Sequence, residues 1–173
     1  MLEPKRISPD DVPAAVEKAL HYRLLNEPEQ AESICRDVLA CEPDNQQALV
    51  TLLLAFSDQF EMHSSVNLDM AKDLVAQLSG EYQQEYFAGI INERWGKAQL
   101  QKGLPRDIAI GWIRTAMRHY DRAEALSEPG DPDAILRWNT CARILTQWGD
   151  GASDSVPLTH DVVGGFGDDV PPR

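Results

Sequence analysis

Residues 22–53, YRLLNEPEQAESICRDVLACEPDNQQALVTLL, contain a turn, one complete helix-forming segment and the start of another. The apolar residues of the complete segment fall at i, i+4, i+7 and i+8, the spacing of one helical face: Ala31, Cys35, Val38 and Leu39. Pro43 follows this segment and ends the helix, because proline lacks the backbone N–H that a helix interior needs. The stretch therefore predicts a helical hairpin that leads directly into a further helix.

The same reasoning along the whole chain predicts seven helices. Apolar residues recur with helical periodicity between short turns, and no segment of useful length shows the alternation of a strand. The predicted helices run from Ser8 to about Asn26, Pro28 to Cys41, Asp44 to about Phe60, Leu68 (after an Asn67 cap) to Leu78, Glu81 to Gln101, Arg106 to about Leu126, and Asp133 to Trp148. Short links make consecutive helices antiparallel, so we expect one helical domain over residues 1–148.

The first hairpin resembles the tetratricopeptide repeat. It spans 34 residues from Val12 to Asn45, the length of one such repeat. Small residues, Ala19 and Ala31, stand where the two helices of a repeat cross closely, and Tyr22 stands at the aromatic position, whereas Cys35 replaces a usual aromatic. The resemblance implies an all-α fold: a short right-handed α-solenoid of antiparallel helix pairs.

The later units depart from the regular repeat. In the second unit the small residue Ala71 arrives about six residues late, because the segment 57–66 holds extra length. In the third unit the fifth and sixth helices exceed the family length by about two helical turns. Either Gly89 or Gly96 is expected to be the residue at which these two helices pack closely.

Composition and charge limit the classes of partner. The formal net charge of −12 argues against nucleic acid, which needs a basic surface. The longest apolar run, Ala48–Phe56, is too short to span a bilayer, and no signal segment is recognised at the start of the chain, so we expect a cytoplasmic protein. The three cysteines form no Cys-x-x-Cys motif, which favours buried free thiols.

Charge is unevenly distributed along the chain. Nine of the 16 lysines and arginines lie between Arg94 and Arg143, whereas the segment after Trp148 carries five aspartates and one arginine. This segment, residues 149–173, also holds five of the eleven glycines and three prolines. We expect it to be a flexible acidic tail, because it has too few large apolar residues to offset its chain entropy. Ordering of this tail would need a partner, a lattice contact or docking through Val162, Val163 and Phe166. A further hypothesis is that its aspartates fold back over the basic helices five to seven as a self-inhibitory acidic strand.

Motifs for catalysis or cofactor binding are not found in the sequence. None of the four histidines has Glu or Asp three residues before it, and no His-x-x-x-His, Gly-x-Ser-x-Gly or glycine-rich phosphate loop occurs. The sequence therefore predicts a protein that is not an enzyme and uses neither metal nor cofactor.

The candidate binding residues are basic. Arg114, Arg118 and Arg122 repeat every four residues and therefore share one face of the sixth helix. They either pair with acids such as Glu85, Glu93 and Asp121 or form a groove in which guanidinium groups hold the carboxylates of an acidic peptide. Further members of such a groove would be Arg94, Arg137, Asn139 and Arg143.

Two functions are compatible with this pattern. The preferred one is a non-catalytic adaptor or scaffold, expected to be bacterial, that binds another protein or an acidic peptide segment through the inner face of its helix pairs. The alternative is a structural subunit that self-associates into a homo-oligomer through the ends of the solenoid, since short solenoids need capped ends.

Overall fold

The computed structural model describes residues 3–61 and 68–149. Its helices are α1 (Val12–Leu24), α2 (Pro28–Cys41), α3 (Gln46–Asp58), α4 (Leu68–Val75), α5 (Glu81–Gln101), α6 (Arg106–Leu126) and α7 (Asp133–Gln147), with a 3-10 turn over Pro9–Asp11. No strand occurs within the described ranges, so the all-α class and the seven helices are confirmed there. Two predictions fall outside these ranges: the Asn67 cap and, apart from Gly149, the flexible tail over residues 149–173.

Helix ends differ from the predicted ones by a few residues, for identifiable reasons. The side-chain oxygen of Asn45 accepts the backbone N–H of Ala48 at 3.0 Å, so α3 begins one residue after this cap. Asn26 has a φ of 60°, and the N–H of Glu27 donates to the carbonyl of Tyr22 at 3.0 Å. This left-handed cap ends α1 at Leu24 and directs the chain into α2.

Packing follows the order of the helices along the chain. Each helix contacts the next one, and α1 also contacts α3, while α3 also contacts α5. One apolar face of each of α4, α5 and α6 is largely buried, and the largest fully buried side chains include Tyr120, Phe60, Leu49, Leu53, Ile91 and Ile113. The odd-numbered helices α1, α3 and α5 therefore lie side by side.

The α5–α6 pair depends on two glycines. A Cβ on Gly89 would lie 2.6 Å from Cδ1 of Tyr120, and a Cβ on Gly96 would lie 2.9 Å from Cβ of Trp112 and 3.1 Å from the carbonyl oxygen of Ala109. All three distances are below ordinary van der Waals contact. Both glycines predicted as alternatives are thus close-packing residues, and Gly89 is the one that seats the buried Tyr120 ring.

Replacement of Gly89 by alanine tests the close approach of α5 to α6. We expect Gly89→Ala to lower the free energy of unfolding by about 2–3 kcal/mol, because the added methyl group overpacks the interface and displaces the Tyr120 ring. The matched control is Gly111→Ala on the exposed side of α6, where an added Cβ meets no atom within 4 Å. This control should raise stability by about 0.5–1 kcal/mol through helix propensity alone. Urea unfolding of the native chain and the two variants measures both effects. Equal changes in the free energy of unfolding at the two positions would contradict the close packing at Gly89.

Candidate partner-binding face

Six charged side chains from four helices form two neighbouring ion-pair groups, here together called the charged face: Arg23 of α1, Asp58 of α3 and Arg94 of α5 in one, and Glu93 and Lys97 of α5 with Arg137 of α7 in the other. The charge of Arg137 acts on Arg94 across the two groups. The four cations outnumber the two carboxylates, and they still outnumber the carboxylates when Glu61, which lines the adjoining cleft, is counted. The face is therefore locally basic in a chain of net charge −12. The cations keep between 20% and 36% of their side chains exposed and remain accessible to a ligand.

Asp58 holds the first half of the charged face. Its Oδ2 accepts Nε of Arg23 at 2.6 Å, and its Oδ1 accepts Nη1 of Arg94. The same nitrogen of Arg94 donates to Oγ of Ser57 at 2.7 Å. Burial and the nearby charges of Arg23 and Arg137 lower the pKa of Arg94, and Asp58 opposes this effect. Asp58 therefore permits two arginines to lie close together.

Glu93 holds the second half. Its side chain is fully buried, yet its Oε1 lies 2.5 Å from Nζ of Lys97 and 3.5 Å from Nη1 of Arg137, while its Oε2 accepts the hydroxyl of Tyr120 at 2.8 Å. Burial favours the neutral acid, but Lys97, Tyr120 and Arg137 outweigh it, and the pKa of Glu93 is lowered. Burial and the neighbouring Glu93 raise the pKa of Tyr120. The carboxylate is therefore ionised and the phenol neutral.

Tyr86 is an aromatic neighbour of Arg137. Arg137 lies near the Tyr86 hydroxyl, and burial raises the pKa of Tyr86 against the effect of that guanidinium. The ring of Tyr86 stacks on Tyr82, with centroids 5.8 Å apart and planes at 9°. An aromatic side therefore borders the charged face where α7 meets α5.

Two clefts lie between α1, α3 and α5. The first, about 240 Å³, contains part of the charged face and is lined by Asn26, Ser57, Asp58, Glu61, Arg94 and Lys97. The second, about 390 Å³, is mainly apolar and amide-bearing; its lining includes Leu20, Gln47, Val50 and Gln83. Both clefts take residues from α3 and α5; Leu20 of α1 lines the second cleft, and Asn26 of the turn after α1 lines the first. Val50 and Ser57, two turns apart on α3, share one helical face.

The seven predicted binding residues separate into groups by their contacts. Arg94 and Arg137 belong to the charged face, through Asp58 and Glu93. Arg122 is exposed and lies 3.6 Å from Glu85, the predicted acidic partner on α5. Arg118 is exposed and donates to Oγ1 of Thr115 at 2.9 Å. The remaining residues occupy separate positions: Arg114 and Arg143 are exposed on α6 and α7, and Asn139 is half-buried on α7.

The sequence reasoning missed half of the charged face. Glu93 was expected to pair with the arginines of the sixth helix, but its cationic partners are Lys97 and Arg137. The Glu93–Lys97 pair has the i, i+4 spacing and was detectable in the sequence. Arg23 and Asp58, which are 35 residues apart, gave no local signal.

The cysteines follow the prediction where they are described. Cys35 and Cys141 are buried free thiols, and burial raises the pKa of each to about 12. Cys41 is a free thiol that is half-buried. Within residues 3–61 and 68–149, no group of three or more His, Cys, Asp or Glu side chains is arranged to hold a metal ion.

Comparisons with protein-family models, curated proteins and solved structures give no match to this chain. Among the described residues, every helix is too short or too polar to cross a membrane.

The stability contributed by Glu93 should depend on pH. Its pKa is lowered on folding from an ordinary value of 4.5, so its contribution is present above that value and is lost as the pH falls through the folded-state pKa. We expect Glu93→Gln to lower the free energy of unfolding at pH 7 by about 2–4 kcal/mol, because Lys97 and Arg137 lose their counter-charge. The difference between native and variant should shrink as the pH falls below 4.5 in urea unfolding experiments. A difference that stays constant between neutral and acid pH would contradict an ionised Glu93.

Proposed function

We propose that this protein is a non-catalytic adaptor that binds an acidic segment of a partner protein on its charged face. The observation that carries the proposal is the excess of cations over carboxylates on that face, in a chain that is otherwise acidic. Guanidinium and ammonium groups that are already positioned bind carboxylates with little loss of side-chain entropy.

The proposed architecture is a short right-handed α-solenoid similar to tetratricopeptide repeats. The contacts of α1 with α3 and of α3 with α5 are those expected when first helices of successive pairs lie side by side. In such an arrangement the charged face, which takes its residues from the odd-numbered helices, is the inner face of the helix pairs.

A second candidate function is self-association into a homo-oligomer. Ile135 and Leu136 on the last described helix, α7, are 41% and 57% exposed, and Leu24 at the end of α1 is 82% exposed. These residues lie at the ends of the helical array, where copies of the chain would meet. Light scattering of the native chain distinguishes this candidate, because it requires a stable dimer or larger species.

Binding of a fluorescent six-glutamate peptide tests the proposed function. We expect the probe to bind the native chain at low ionic strength, and its affinity to fall as salt is added. A six-glutamine peptide should not bind. Arg23→Gln combined with Lys97→Gln should lower the affinity for the probe about tenfold or more, because two cations of the charged face are lost.

The control for this test removes the same charge from α6. Arg114→Gln combined with Arg118→Gln should leave the affinity of the probe within about twofold of the native value, since both residues lie on α6 and are exposed. Backbone amide shifts of the native chain on titration should map to residues 94–97, and this readout does not depend on any variant being folded. Shifts confined to residues 114–122 would place the site on α6 and contradict the proposal.

A further inference from the structure

We infer that residues 150–173 of this chain bind intramolecularly to the charged face and the neighbouring apolar cleft, and so compete with the partner. This inference rests on the proposed function, since it names the regulation of the same site. The occupant is a segment of the chain itself, and three observations support it: charge, spacing and reach.

Charge complementarity is the first observation. Residues 150–173 carry five aspartates and one arginine, whereas the charged face carries four cations and two carboxylates. Both of those carboxylates already accept bonds from two of the cations. The side chains of the four cations are 20–36% exposed, so an additional carboxylate can approach them, and the segment and the face attract one another.

Spacing is the second observation. Val50 in the apolar cleft and Ser57 in the charged cleft are seven residues apart on α3, which is about 10 Å along the helix axis. An extended chain covers about 10 Å in three residues. Residues 150–173 contain this interval twice, as Leu158 followed by Asp161 and as Phe166 followed by Asp169. In each case an apolar side chain can enter the apolar cleft while the aspartate meets the cations.

The place where α7 ends supplies the third observation. Nη1 of Arg106 donates to the carbonyl oxygen of Trp148 at 2.9 Å, so the chain leaves α7 beside the turn that joins α5 to α6. Lys97 lies four residues before the end of α5, which is about 6 Å along the axis. Residues 150–157 alone can span at most about 28 Å when fully extended. This span is several times the axial distance from the end of α5 to Lys97, so the segment is long enough to reach the charged face.

Zero-length carbodiimide cross-linking of the full native chain tests the inference. The reagent joins an amine to a carboxylate with loss of water, and the cross-linked peptides are identified by mass spectrometry. We expect Lys97 to be joined to Asp161 or Asp169 within monomers. Lys102 is the internal control, because it is exposed and lies closer to the point where the chain leaves α7. A segment that does not dock would react preferentially with Lys102, and that result would overturn the inference, as would cross-links that form only covalent dimers.

A second measurement uses the full chain with the five aspartates of residues 150–173 replaced by asparagine. If the native segment occupies the face for half to nine-tenths of the time, these substitutions strengthen binding of the six-glutamate probe by about two- to tenfold at low salt. Equal affinities for native chain and variant would overturn the inference and leave the adaptor function intact. Absence of probe binding to both proteins would instead remove the proposed function.

Discussion

The close approach of α5 to α6 at Gly89 is the constraint on which the rest of the structure depends. Because Gly89 has no side chain, the ring of Tyr120 lies directly against the α5 backbone and is fully buried. A buried phenol needs a hydrogen-bond partner, and the partner is the equally buried carboxylate of Glu93, one helical turn further along α5. The packing of two helices thus brings a negative charge into the core.

That buried charge connects the core with the charged face. Glu93 is stable as an anion because Lys97 and Arg137 approach it and Tyr120 donates to it, and the two cations are partly exposed on α5 and α7. Asp58 has the same role for Arg23 and Arg94 between α1, α3 and α5. Each carboxylate holds two cations in fixed positions, so the basic face is preorganised before any ligand arrives.

Much of the fold, but only part of the face, was predictable from the sequence. Helix bounds followed from periodicity and turn residues, since Pro28, Pro43 and Gly80 are local signals. The sequence identifies Arg94 and Arg137 as candidate cations but does not identify their partners. Arg94 contacts Asp58, which is 36 residues away in the chain, and Arg137 contacts Glu93, which is 44 residues away. The three arginines of α6 are easier to recognise as a group, because their spacing of four residues is visible within a single helix. Pairings between helices depend on packing, which a single sequence does not specify.

The most direct test of this account is an NMR titration of the Glu93 side-chain carboxyl in the native chain. An ionised, buried Glu93 held by Lys97, Tyr120 and Arg137 should titrate below its ordinary pKa of 4.5. Assignment by comparison with Glu93→Gln identifies the resonance. A pKa above 4.5 would show that burial outweighs the cations, and the charged face would then lack the anchor proposed here.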